Sequence, residues 1–196
     1  MNGGVVLDTS VMLNILGSGQ AETILAALRG RRIVIAVTSR EVVRHPLEPQ
    51  SSGDPMAPLL AAGLVERLPL PAPALVRFVE LTGAAPPDDL DDGEAAALAA
   101  GEALGLPVAI DERKGRRVAA AQLPSVPLLS SGAVFADAAV GAALGPKLVD
   151  AVFSALVNAR MRILPEHEPW VHTLLGPRLA AQCPSLRKRR VYGGSK

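Results

Sequence analysis

The chain has 196 residues, of which 49% are apolar and 3% aromatic, and its formal net charge is +1. This length predicts one domain with a sizeable core, and the shortage of aromatic side chains argues against a nucleic-acid surface that works by stacking bases. The single cysteine, Cys183, excludes an internal disulfide and a zinc site made of cysteines.

The predicted elements alternate between strands and helices along the first half of the chain. A buried apolar strand at 4–7 leads through Asp8 into a helix that ends at Gly17, and β-branched residues at 33–37 predict a second strand. Around these we expect a helix at 21–30, a helix carrying Glu41 that ends before Pro46, a loop at 46–55, a helix at 56–62 and a strand at 64–68.

The same alternation continues in the second half of the chain. We expect helices at 74–82, 94–104 and 112–122, strands at 107–110 and 126–129, an acidic loop at 86–92, and closing helices at 132–143 and 146–158. Strands that alternate with helices favour parallel pairing, and apolar strands favour burial on both faces. The pattern therefore predicts an α/β fold with a parallel sheet covered by helices on both sides.

Acidic residues follow two of the predicted strands at the point where each strand ends. Asp8 comes directly after the first strand, and Asp111 comes directly after the strand at 107–110. The carboxyl ends of parallel strands share one edge of the sheet, and ligands bind there at the point where the strand order reverses. If these two strands are neighbours, Asp8 and Asp111 face each other. Glu41 and Glu94, near the starts of helices, are expected close to the same edge.

A group of carboxylates at one edge of a sheet has a chemical consequence. Negative charges held close together repel one another, and a hard divalent cation such as Mg²⁺ or Mn²⁺ relieves that repulsion. Such a cation activates water for attack on a phosphodiester, so the four acids predict a hydrolytic metal site. Each acid also has a structural alternative: Asp8 and Asp111 could cap the helices that follow them, Asp91 and Glu94 could form a capping box, and Glu41 could be exposed.

Three segments around these acids resemble the motifs of PIN-domain nucleases. They are VVLDTSVMLNIL around Asp8, TSREVV around Glu41, and LDDGEAAALAAGEALGLPVAIDERKGRRVAA, which contains Glu94 and Asp111. The third segment is most similar to the VapC-like toxin branch of the family, in which a G-E-A-x-A-x-x-L-A helix precedes D-x-x-x-x-R-x-x-A. The resemblance extends over roughly residues 4–175.

The resemblance implies a three-layer α/β/α fold with about five parallel strands, in a PIN-like nuclease domain at 1–176. It also implies cleavage of single-stranded RNA with Mg²⁺ or Mn²⁺ as cofactor. As partners it implies an RNA substrate, an antitoxin protein and a second copy of the chain in a homodimer. The motif positions assign metal binding to Asp8, Glu94 and Asp111, the second acid to Glu41, and substrate contacts to Thr9 and Ser10.

Basic residues near the acids are candidates for binding RNA phosphates. Arg113 and Arg116 follow Asp111 closely, although a solvated helix face paired with the acidic loop is an equal alternative. Residues 178–196 carry six Lys or Arg and no acid, and we expect 177–196 to form a basic, flexible tail. No apolar run predicts a membrane span and the N-terminus lacks a basic signal region, so we expect a soluble cytoplasmic protein.

Departures from the motifs leave alternatives open. Arg113 stands where many PIN domains have a further acid, and Asp91 or Asp92 could replace Glu94 as a metal ligand. A catalytically weak PIN-like module that binds RNA or protein is therefore the second hypothesis. A phosphatase with an aspartyl nucleophile is a third and less favoured one, because Ser10 stands where such enzymes have a second aspartate.

Overall fold

The computed structural model describes residues 3–37, 42, 44–50 and 52–186. At its centre is a five-stranded sheet in which every pairing is parallel and the spatial order is β3-β2-β1-β4-β5. The strands are β1 (Gly4–Leu7), β2 (Arg31–Ile35), β3 (Glu66–Leu68), β4 (Val108–Ala109) and β5 (Leu128–Leu129). The predicted α/β fold with a parallel sheet of about five strands is therefore confirmed.

Ten α-helices surround the sheet within the described ranges. They are α1 (Thr9–Gly17), α2 (Ala21–Ala27), α3 (Ala57–Ala61), α4 (Leu75–Thr82), α5 (Asp92–Leu104), α6 (Arg113–Gln122), α7 (Ser131–Phe135), α8 (Ala138–Leu144), α9 (Leu148–Asn158) and α10 (Glu168–Ala180). One buried cluster joins Val5 and Leu7 of β1 to α1, α2, α9 and α10, and another joins Val6 to α5 and α6. Alternate side chains of β1 thus face two helical layers, which gives the three-layer arrangement.

The point where the strand order reverses lies between β1 and β4. The Asp8 N–H donates to the Ala109 carbonyl at 3.0 Å, which extends the pairing of these two strands to the carboxyl edge of the sheet. The predicted proximity of the two strand ends that carry Asp8 and Asp111 is therefore confirmed. In parallel sheets this reversal opens a crevice suited to ligand binding.

Helix α5 lies close to the sheet because its buried face is built from small residues. All nine residues from Gly93 to Gly101 are buried. A Cβ added at Gly101 would lie 2.1 Å from Cγ2 of Val108 and 3.2 Å from the Leu106 carbonyl oxygen, so the helix contacts β4 with no room for a side chain. This packing fixes the start of α5, with Glu94, relative to the sheet.

The chain after β5 differs from the prediction in two places. The single helix predicted at 132–143 is wrong, because Asp137 interrupts it and starts α8 by accepting hydrogen bonds from the backbone N–H groups of Ala139 and Val140. Helix α10 was not predicted. It has a proline in its first turn and a kink at Gly176, where φ is 66° and ψ is 171°.

The predicted boundary between body and tail at 176/177 lies too early. Helix α10 continues past it to Ala180, and Ala180, Cys183 and Leu186 are buried in the same cluster as α1 and α9. The packed body therefore extends at least to Leu186. Residues 187–196, which include the RKRR run, lie outside the described residues, so the flexible tail stays a prediction there.

One stretch, Ala138–Asn158, is long and apolar enough to cross a membrane by length and composition, with a mean hydropathy of 1.5. It comprises α8, a 3-10 turn at Gly145–Lys147 and α9. Both helices bury side chains in the core, among them Val140 and Val152. Core helices meet the same criterion, so this stretch is weak support for a membrane span, and the cytoplasmic location stays a prediction.

Candidate metal centre

Asp8 lies where β1 ends and α1 begins. Its Oδ2 accepts hydrogen bonds from the Ser10 backbone N–H at 3.2 Å and from the Ser10 hydroxyl at 2.7 Å. Only 4% of Asp8 is exposed. The predicted capping role of Asp8 is confirmed, and the Ser10 hydroxyl holds this carboxylate in a fixed orientation at the edge of the sheet.

In the described part of the chain, the side chain of Glu94 is buried and has no hydrogen-bond partner. It is 4% exposed in the first turn of α5, and neither Oε1 nor Oε2 has a partner among the described residues. The cap of α5 is Asp91, whose Oδ1 accepts from the Glu94 backbone N–H at 2.8 Å, so the side chain of Glu94 takes no part in capping. A carboxylate removed from water and left without donors costs free energy.

The pKa of Glu94 reflects its burial and the charges near its side chain. Its pKa is raised from 4.5 to about 7, mainly by burial and then by the negative charges of Asp91 and Asp8, with Lys114 opposing. Burial likewise raises the pKa of Asp8, the hydrogen bonds from Ser10 oppose this, and Asp91 adds to the increase. The negative charges of Asp8, Asp91 and Glu94 therefore repel one another, and a bound cation would reduce this repulsion.

Asp111 is held by a buried network of hydrogen bonds that sequence reasoning missed. Its Oδ2 accepts from Asn14 Nδ2 at 2.9 Å and from the Ser131 hydroxyl at 2.6 Å, and its Oδ1 accepts from the Ser131 backbone N–H at 2.8 Å. Asn14 also donates to the Ser131 hydroxyl at 2.9 Å. Burial raises the pKa of Asp111, and the bonds from Ser131 oppose the increase. The predicted capping alternative for Asp111 is wrong, because Glu112 occupies the N-cap position of α6.

Three of the predicted substrate-binding residues line the outside of this group. Thr9 and Ser10 are half-buried next to Asp8, and the Ser10 hydroxyl is engaged with that carboxylate. Arg113 is exposed at the first position of α6, two residues beyond Asp111. Thr9, Ser10 and Arg113 thus lie within two residues of Asp8 or Asp111 in the chain. Their contact with substrate stays a prediction.

Arg116 and Arg117 have structural contacts. The Nη1 of Arg116 donates to the carbonyls of Ile110 at 3.1 Å and Leu129 at 2.8 Å, so this side chain ties the ends of β4 and β5 together. Arg117 forms an ion pair with Asp88 in the acidic loop, as the alternative interpretation of this helix predicted. A substrate role for Arg116 stays a prediction, but its guanidinium already has two backbone partners.

The predicted acids are brought together in part. Asp8 and Glu94 lie within electrostatic reach of each other, Asp111 follows the neighbouring strand, and Glu41 lies outside the described residues. Asp92, an alternative to Glu94, is exposed in the first turn of α5. In the described part of the chain, no group of three or more His, Cys, Asp or Glu residues is close enough to hold one metal ion. The hard oxygens of Asp8 and the unpartnered oxygens of Glu94 are nevertheless the donor type that Mg²⁺ and Mn²⁺ prefer.

Comparison of the chain with known protein families, with curated proteins and with solved structures gives no match. The fold, the residues at the carboxyl edge of the sheet and the motifs that surround them are therefore the observations that bear on function. The resemblance to PIN-domain nucleases stays a prediction.

Proposed function

We propose that the protein is a divalent-metal-dependent endoribonuclease. The observation that carries this proposal is Glu94, a buried carboxylate with no hydrogen-bond partner in the described structure, near the charge of Asp8 where the strand order reverses. Local features that oppose stability tend to be kept for function. A positively charged ligand would satisfy Glu94, and the crevice at a strand-order reversal is where parallel α/β sheets bind ligands.

Each residue of the site has a task in this proposal. Asp8 and Glu94 hold Mg²⁺ or Mn²⁺, and the hydrogen bond from the Ser10 hydroxyl fixes the orientation of the Asp8 carboxylate. Asn14 and Ser131 hold Asp111 as the third acid on the neighbouring strand end. When bound, a divalent cation lowers the pKa of water and stabilises the negative charge that develops on a phosphodiester.

The proposed family and substrate class rest on the fold and on the sequence motifs rather than on the geometry of the site. The fold supports a PIN-like nuclease, because the sheet is parallel and acids follow β1 and β4, the two strands between which the strand order reverses. RNA as the substrate, the role of toxin in a toxin–antitoxin pair, an antitoxin partner and a homodimer are carried over from the motifs alone. Glu41 enters the proposal as the second acid on the same basis.

Cleavage of a labelled single-stranded RNA in the presence of Mn²⁺ tests the proposal. The Asp8→Asn variant should lose at least about 100-fold in rate, because the amide cannot hold the cation as the carboxylate does. Asp150→Asn removes an exposed acid from the first turn of α9 and serves as the control that should keep wild-type activity. Undiminished cleavage by Asp8→Asn, or cleavage that persists in excess chelator, would overturn the proposal.

A catalytically weak RNA- or protein-binding module is the second candidate. The observation that favours it is that the two oxygens of Asp111 already accept three hydrogen bonds from Asn14 and Ser131, which occupy most of the acceptor sites of a carboxylate. The residue two positions later is Arg113 rather than an acid. If this candidate holds, the wild-type protein binds RNA in chelator as tightly as in Mn²⁺ and cuts it in neither condition.

A further inference from the structure

A cleft of about 810 Å³ opens next to Asp111, between the start of α6 and the segment that joins α9 to α10. Its rim carries three arginines, Arg113, Arg160 and Arg162, and its walls include the apolar side chains of Val157 and Leu164. Clefts of this size are typical of sites for small ligands or for one or two units of a polymer. The cleft thus places a basic surface next to Asp111, one of the acids at the carboxyl edge of the sheet.

The three arginines are available for a ligand. All three are exposed, and neither the Arg113 side chain nor the Arg160 side chain makes a hydrogen bond or ion pair with any residue that the structure describes. Among the described residues, the Arg162 side chain has one long contact of 3.7 Å with Glu112, and it is 76% exposed. Two acids, Asp111 and Glu168, also line the cleft, so its lining contains three arginines and two carboxylates.

Two further features show that the cleft is not an ordinary patch of surface. Arg160 has a φ of 54°, and within the described ranges it is the only residue other than glycine with a positive φ. A left-handed conformation is costly for a residue with a Cβ, and such strain concentrates at functional sites. The hydroxyl of Ser185, which also lines the cleft, is buried and has no hydrogen-bond partner in the described structure.

We propose that this cleft binds one nucleotide of the RNA strand next to the bond that is cut. The phosphate contacts the guanidinium groups of Arg113, Arg160 and Arg162. The sugar and base lie against Val157 and Leu164. Guanidinium groups suit phosphate because they offer several donors in a planar fork. The inference rests on the proposed function for the position of the scissile bond, but the binding site itself does not depend on cleavage.

Binding of a fluorescently labelled single-stranded RNA, measured by anisotropy in chelator over a range of KCl concentrations, tests this site. The full chain is used with Asp8→Asn as background, so that no cleavage intervenes. Arg160→Gly is the most informative variant, because glycine adopts a φ of 54° without strain and the fold is kept. We expect its Kd to rise about 5-fold and its slope of log Kd against log salt to fall by about 0.7, as for the loss of one phosphate contact.

Two other variants separate the parts of the site. Val157→Ser should weaken binding while leaving the salt slope unchanged, because it removes an apolar contact and no charge. Arg29→Ala is the matched control, since Arg29 is exposed just before β2 begins, at the opposite edge of the sheet. Its Kd and salt slope should equal those of the background protein.

The outcomes distinguish this inference from the proposed function. Equal Kd values and salt slopes for Arg160→Gly and Arg29→Ala would overturn the cleft site, even if the wild-type protein cuts RNA. Weaker RNA binding by Arg160→Gly in a protein that never cuts RNA would support the cleft and overturn the nuclease. Binding of an acidic peptide, but not of RNA, at the same arginines would overturn the inference in favour of a protein partner.

Discussion

Replacing Glu94 with glutamine should stabilise the protein in the absence of metal, by a gain that grows between pH 4.5 and pH 7. The pKa of Glu94 is about 7 in the folded protein and 4.5 in the absence of the fold, so the folded state prefers the protonated carboxyl. Between these two values the folded state binds more protons than the unfolded state, and stability falls as the pH rises. Below pH 4.5 the penalty is absent, and above pH 7 it is complete.

The size of the effect follows from the same two values. They differ by about 2.5, and at about 1.4 kcal/mol for each factor of ten in proton affinity the charged carboxylate costs roughly 3 kcal/mol. For a chain of this length, 1 kcal/mol corresponds to about 2–4 °C in Tm, so the expected gain is roughly 6 °C or more. Glutamine keeps the shape of the side chain and removes its charge.

Thermal unfolding in chelator, followed by circular dichroism at pH 8 and at pH 5, measures this gain. The difference in Tm between Glu94→Gln and wild type should be large at pH 8 and much smaller at pH 5. Comparing the two pH values cancels any cost of the buried amide that does not depend on pH. Asp150→Asn is the control, because Asp150 is also the third residue of its helix but is exposed. A Glu94→Gln variant that is destabilised at pH 8, or shifted equally at both pH values, would refute the reasoning.

Three further predictions concern the stability of the fold, and chemical denaturation measures each. Asn14→Leu should cost about 2 kcal/mol, because Asp111 loses a buried donor, and an unchanged midpoint would contradict the network. Gly101→Ala should cost about 1–3 kcal/mol through its clash with Val108, and a gain in stability would show that α5 can move away from β4. Arg160→Gly should gain about 1 kcal/mol from relief of its positive φ, and a loss would contradict the strain.

The sheet could be predicted from the sequence because its strands carry strong local signals. The apolar runs that contain β1 and β2 are β-branched and bounded by turn or capping residues, and Asp8 and Asp111 could be placed at strand ends by position alone. The pairing of β1 with β4 was conditional in the prediction, because strand order depends on packing between segments about 100 residues apart.

The surroundings of Asp111 could not be predicted in the same way. Asn14 and Ser131 lie 97 and 20 residues from it in the chain, and only the folded topology brings them together. One local signal existed for Asn14. It falls three residues after Val11 in α1, on a face that is otherwise buried and apolar, and a polar residue there requires a buried partner.

Helix α10 escaped prediction because its sequence contains residues that usually end helices. Pro169 lies in the first turn, where proline is tolerated, and Gly176 with Pro177 produces a kink rather than an end. The helix is kept by tertiary packing, since Val171 and Leu175 are buried in the core cluster with α9. Local propensity therefore underestimated how far the packed body extends.

Calorimetric titration of Mn²⁺ tests most directly whether the acids at the carboxyl edge form a metal site. We expect the wild-type protein and Asp150→Asn to bind Mn²⁺ at or below millimolar concentration, and Glu94→Gln to bind it at least about tenfold more weakly. Because Glu94→Gln is expected to be the more stable protein at pH 8, weaker binding could not be attributed to unfolding. No binding to the wild type at millimolar Mn²⁺, or equal binding by Glu94→Gln, would contradict the metal centre.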